Sequence, residues 1–397
     1  MTAISELPEI DFNTALYREH PFPILAALAK KWRVARSQRG VEILDYDLCR
    51  QMIVDAKLGT GHPRLMKVLD LPDGPVLQYK QGSISYFNRG EERRKLRQPI
   101  TRLLSPQGSE RFRRDVQAIV ADLVSRVPST TSVDLIDHIC DPIPSRVYCQ
   151  WMDAPKDDAA YIAKTSHLVQ QVHTRDPART GDIVTAFEGF LDYADERIAE
   201  ARKTPSDSLI SDLINACDAG ELTTADLRNW VIKLAEANTD NSSHQIASVI
   251  IELASRPDVW MQLRSEPNLI PAAIDEVMRL RPRSISTSRE ALEDLEIDGV
   301  VIPKGTPVFA NIGAAHWDER YYPNPSVFSL QREGQPGHLN FGGGIFSCIG
   351  RHIITIEIEE VIARLTRDFP DLRLDSARFE HTPMFTNVTV LEATLRR

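Results

Sequence analysis

Apolar residues recur at three-to-four spacing along most of the chain, which predicts helices over 24–31, 46–55, 91–104, 109–127, 142–152 and 159–173. The same period continues over 182–202, 209–218, 224–255, 257–266, 269–279 and 351–368. Strand-like alternation is confined to short pieces over 34–39, 41–44, 295–297, 300–302, 307–311 and 388–395. The pattern predicts a mainly α fold with minor β. Ser206 to Ser208 and Thr223 to Asp226 place side-chain oxygens where two helices begin, and Asp226 adds a carboxylate to the first turn of the second.

The helix predicted over 224–255 breaks its own pattern. Leu234 and the run from Ile246 to Ile251 look buried, yet Asn238, Thr239, Asp240, Asn241, Ser242, Ser243, His244 and Gln245 crowd its middle. Buried polar groups are costly unless they find partners, so a cavity, water or a ligand is expected beside this turn. A solvated face is the alternative reading.

Composition narrows the class. The 397 residues are 42% hydrophobic and 26% charged, enough for a large core and without a disordered signature. With no linker, repeat or low-complexity run, a single domain over 1–397 is expected. The acidic start lacks the layout of a signal peptide, and no apolar run approaches a membrane span, so a soluble, cytoplasmic protein with no membrane partner is expected. Five irregularly spaced cysteines argue against a disulfide framework. A net charge of −9 argues against nucleic acid as the main partner.

The densest chemistry lies in Phe341-Gly-Gly-Gly344-Ile-Phe346-Ser-Cys348-Ile-Gly350. A cysteine thiolate can hold haem iron and push electron density onto it, which favours cleavage of a bound O–O bond. Glycines let the backbone turn tightly beneath a porphyrin and aim N–H groups at sulfur. A buried, inert cysteine in a Gly-rich turn is the plainer reading.

This loop follows Glu276 and Arg279, three apart on one predicted helical face, and the polar-centred helix. That order resembles the cytochrome P450 family over nearly the whole chain. Pro21 to Leu25, Glu92 to Arg97, Ala237 to Ser242, and Ala315 to Asp318 with Pro323, Pro325 and Phe328 carry the rest of the likeness. The resemblance implies a P450 fold, with haem b between the long distal helix and a proximal cysteine-loop helix. It implies Cys348 as axial thiolate and iron ligand, with Phe341 and Gly344 beside it. Arg93, Arg97, Arg289 and His338 would bind the haem carboxylates, and Glu276, Arg279 and Arg332 would form a structural cluster. Substrate would lie against 59–87, 162–179, 238–245, 284–288 and 384–387, among them His62, His173, Arg179, Asn238 and Phe385.

Three departures from the family pattern bear on chemistry. Phe346 stands where a histidine or arginine usually binds a carboxylate, and Arg93 stands where a histidine is usual, so Arg93 could replace the lost charge. The usual acid–alcohol pair, which delivers protons during oxygen activation, reads Asp240-Asn241, leaving proton delivery to Asp240, Ser242 and water. The expected protein is a monomeric haem-thiolate monooxygenase, oxidising an organic substrate in secondary metabolism. It has no dinucleotide motif or Cys cluster of its own, so a separate ferredoxin and ferredoxin reductase are implied, docking on Arg93, Arg94, Lys95, Arg97, Arg351 and His352. Oxidative cross-linking of aromatic side chains in a small peptide is the alternative within this chemistry. A haem-binding sensor that never turns over is the alternative outside it.

Overall fold

The computed structural model describes residues 2–61, 70–86, 90–129, 131–174, 176–332 and 334–396. Its helices follow the apolar period closely. Leu209–Asp218 and Arg351–Asp368 begin and end where the period does, and Thr224–Ala254 and Glu91–Leu103 stop one residue short. Ser208 caps the first of these by accepting from Ser211 N, and Thr223 and Asp226 form a reciprocal capping box at the start of Thr224–Ala254.

The predicted helix over 109–127 is two helices, Pro106–Glu110 and Arg113–Arg126. Ser105 caps the short one at Gly108 N, and the chain bends at Phe112, which still faces the same core as Val116 and Val120. Four strands escaped the sequence reading: Ser286–Ala291, Arg373–His381 and the short Leu58–Gly59 and Ser132–Asp134. Ser286–Ala291 pairs with Pro307–Asn311 on one side and Leu58–Gly59 on the other, so both edges of its backbone are used and its polar sequence shows no alternation. Arg373–His381 is a largely exposed strand of a three-stranded sheet with Thr386–Thr394 and Ser132–Asp134.

The remaining sheet topology is simple. Val34–Ser37 and Gly40–Ile43 form a hairpin whose second strand runs parallel to Pro307–Asn311, with Val41 opposite Val308. Leu295–Ile297 and Val300–Ile302 pair by themselves. This β region has its own core around Ile43, Cys49, Leu58 and Val308, whereas the helices share a larger one.

Thr224–Ala254 runs through the centre of the helical core. Val231, Ile246, Val249, Ile250 and Leu253 are fully buried along it, and helices Pro142–Trp151, Ala159–Gln170, Thr180–Lys203, Ile270–Leu280 and Arg351–Asp368 all pack on it. A helix apolar on every side is stable only when enclosed. No helix among the described residues is long and apolar enough to cross a membrane.

Candidate active site

A cavity of about 460 Å³ opens between the middle of Thr224–Ala254 and the loop preceding Arg351–Asp368. Cys348 faces it from the loop, and Ala237, Asn238, Asn241, Ser242 and Gln245 face it from the helix. The polar turn therefore lies against a cavity, and the solvated-face reading fails: Thr239, Asp240, Ser242, Ser243 and Gln245 are all buried.

The loop holds Cys348 by short-range geometry. Its backbone N donates to Phe341 O at 2.7 Å, which closes the turn. Gly342 and Gly344 have φ of +63° and +57°, a left-handed conformation that side chains with a Cβ rarely adopt. Burial pushes the Cys348 thiol up, while the Gly350 backbone N–H and the charges of Arg97 and Arg351 oppose it. Those opposing groups are what a bound thiolate needs around it.

Three guanidiniums share this end of the cavity. Arg93 and Arg97, one turn apart on Glu91–Leu103, both line it, as does Arg289 from strand Ser286–Ala291. Arg97 donates to Ser347 O and Oγ at 2.6 and 2.8 Å and has no carboxylate partner among the described residues. Phe346, which replaces a charged residue of the family pattern, is sandwiched: Arg93 lies 4.5 Å and Arg289 4.4 Å from its ring centre. The ring thus holds two cations in place, a role the sequence did not disclose.

Not every predicted site residue reaches the cavity. Phe341 lines it, but His338 and Gly344 do not. His338 packs on Phe341 at 5.4 Å, and its buried Nδ1 has no hydrogen-bond partner among the described residues. Of the predicted substrate contacts, His173, Asn238 and Phe385 line the cavity and Arg179 does not; His62 and Phe87 lie outside the described residues. Arg93 and Arg97 point inward, so the predicted docking patch reduces to Arg94, Lys95, Arg351 and His352.

Asp240 turns away from the cavity. One oxygen accepts from Arg283 Nη2 at 2.5 Å and the other meets His167 Nδ1 at 2.7 Å; His167 Nε2 in turn meets Asp141 at 3.0 Å. Burial works to raise the Asp240 pKa, but Arg283 and then His167 outweigh it and hold the carboxyl well below the usual range. Burial likewise opposes charge on His167, yet its bonds to Asp141 and Asp240 bring it up to about 10. Asp240 therefore stays ionised and spent on its partners, contrary to the expectation that it carries protons. Asn241 Nδ2 donates to Ala237 O at 3.0 Å, so the amide is tied to its own helix.

Behind Ser242 lies Glu357, which sequence reasoning missed. It is fully buried, neither oxygen has a hydrogen-bond partner among the described residues, and burial pushes its pKa up to about 8, an effect that the nearby Ser242 and Asn238 only partly offset. Its signal was available: Glu357 falls within the apolar stripe Ile353, Ile354, Ile358, Val361. Outside the cavity lining, Glu276 accepts from Arg279 at 2.8 Å through both oxygens and from Arg332 at 3.0 Å, which is the expected structural cluster.

A thiol facing a cavity beneath a helix, ringed by arginines suited to carboxylates, fits haem. Comparison with known proteins agrees, because residues 162–390, more than half the chain, match the Cytochrome P450 family. The chain belongs to the cytochrome P450 family. It is 28% identical over 366 residues to luteothin monooxygenase of Streptomyces thioluteus, covering 91% of this chain and 89% of that one. It is 32% identical over 288 residues to nocardicin C N-oxygenase of Nocardia uniformis subsp. tsuyamanensis, covering 71% of each. Among solved structures, the P450 enzyme CxnD, described for C–S bond formation in chuangxinmycin biosynthesis, matches with a TM-score of 0.85 at 25% identity, covering 99% of this chain and 98% of that one. As a P450 the protein is a haem-thiolate oxidoreductase of the monooxygenase type.

Proposed function

We propose that this P450 oxidises an organic substrate of secondary metabolism, with Cys348 as the thiolate ligand and Arg93, Arg97 and Arg289 on the haem carboxylates. The convergence of Cys348 and the three arginines on the cavity across from Ala237 and Asn241 carries this reading. When bound, a thiolate-held haem supplies O₂ activation with two electrons and two protons. The protein's own residues manage access and protons. Asp240, held by Arg283 and His167, orients the polar turn. Glu357, which burial keeps protonated toward neutral pH, lies close to Ser242 and Asn238, both lining the cavity, so it is the internal acid that delivers a proton once Ser242 turns from Asn238 toward it.

Electrons come from a separate ferredoxin, docking on Lys95 and Arg351, with Arg94 partly neutralised by Glu91 at 2.6 Å. Reversing charge at Lys95 then slows ferredoxin-supported reduction without changing peroxide-supported turnover. Oxygen insertion is the first reading of the reaction. Oxidative coupling is the second, favoured by the amide of Asn241 being tied to Ala237 O where an alcohol is usual. Product mass separates them: insertion adds one oxygen, coupling removes two hydrogens. Cys348→Ser tests the ligand. The reduced CO complex of the native protein gives the thiolate-type Soret band and the variant loses it; retention of that band in the variant overturns the assignment.

A further inference from the structure

Within one turn of the distal helix, Lys233 and Glu236 both line the cavity. The Glu236 carboxylate is enclosed by three donors: Tyr79 Oη at 2.7 Å, Lys80 Nζ at 2.9 Å and Lys233 Nζ at 3.3 Å. Burial alone would raise its pKa, but Lys233 and Lys80 outweigh that and keep it ionised. Lys80 is fully housed, with Phe187 stacked 3.9 Å from Nζ on its other side, and burial lowers it only to about 8. Two ammonium groups thus share one carboxylate, leaving one positive charge in excess on the cavity wall. Buried or half-buried charge without a counter-charge is costly.

Neighbouring groups do not cancel that excess. Asp240 and Asp141 are matched by Arg283 and His167. Burial leaves His173 and His244 neutral, each lowered to about 4. Asp226, two turns up the helix, borders a small second pocket with Lys233 but is bonded to Thr223, and no ion pair joins the two among the described residues. Residues 62–69 and 87–89, outside the described ones, contain no Asp or Glu. Arg283 is largely committed, since it bonds Asp240, Thr386 O and Asn387 and stacks on Phe385, leaving only its buried Nε without a partner among the described residues. Lys233 differs: its one ion pair among the described residues is the 3.3 Å contact with Glu236, and its side chain, 18% exposed, lines the cavity.

We infer that the cavity takes a carboxylic acid as substrate and that Lys233 binds its carboxylate, with Glu236 and Lys80 holding the ammonium in place. The inference rests on the proposed haem-thiolate oxidation and names its substrate class. Lys233 acts by binding and not on the reacting atoms.

The test titrates the haem-loaded protein with octanoic to tetradecanoic acids and indole-3-propanoic acid, each against its methyl ester, following the Soret shift on displacement of water. A charge-assisted bond predicts that the acids which fit bind ~10- to 100-fold tighter than their esters. Lys233→Gln erases the difference by weakening the acids alone, and Lys233→Arg retains it. Equal affinity of acids and esters in the native protein overturns the inference without any variant, as does a preference that survives Lys233→Gln. Loss of the underlying reading is distinguishable, because it shows as absence of the thiolate-type CO band, whereas failure of the carboxylate site leaves that band intact.

Discussion

Replacing Glu357 with Gln should stabilise the protein, and by an amount that grows with pH. Fully buried and without a hydrogen-bond partner among the described residues, Glu357 titrates near 8 when folded and near 4.5 when exposed. At low pH both states hold the proton and the side chain is no burden. As pH rises through 4.5 the unfolded chain releases its proton while the folded one keeps it, so stability falls by 1.36 kcal/mol per pH unit until about pH 8. Gln does not titrate. Between pH 5 and 7.5 the variant should therefore gain ~3 kcal/mol on the native protein, all other titrations being common to both. With an unfolding entropy of ~2.1 cal/mol/K per residue, ~3 kcal/mol corresponds to about 4 °C in Tm for a chain of 397 residues. Guanidinium unfolding of the haem-loaded proteins, followed by tryptophan fluorescence across that pH range, measures the difference. The infrared carbonyl band of a protonated acid, present in the native protein at pH 7 and lost in the variant, gives an independent reading. A stability difference that stays flat with pH would mean that Glu357 is already ionised in the fold, and the proton source proposed behind Ser242 would be gone.

Glu276→Gln leaves Arg279 buried without its anion and frees Arg332, and should cost ~3–5 kcal/mol in chemical denaturation; a loss under 1 kcal/mol would show the cluster to be a solvated pair. His167→Asn should destabilise most below pH 6.5. The folded pKa of His167 is raised to about 10, so the stability from its charge is complete below the unfolded value and fades as pH rises through 10. Unfolding curves for the two proteins that converge toward pH 10 bear this out, and curves equally far apart at pH 6 and 10 refute it.

How far the sequence could be read depended on the range of the interaction. Helices such as Leu209–Asp218 and Arg351–Asp368 were legible because their period and end caps are encoded within one or two turns. Strand Ser286–Ala291 was not, because its backbone partners Pro307–Asn311 and Leu58–Gly59 are distant in the chain. The same division runs through the site. Phe341 to Gly350 determined by itself that a thiolate could be presented, since the glycines and the sulfur lie within ten residues. The direction in which each polar residue of the distal helix points was decided only by packing: Asn241 and Ser242 into the cavity, Asp240 onto Arg283 and His167. The excess charge at Lys80, Lys233 and Glu236 and the full burial of Glu357 are likewise tertiary facts. Each depends on which partners burial brings within a few ångströms, and chain spacing carries no record of that.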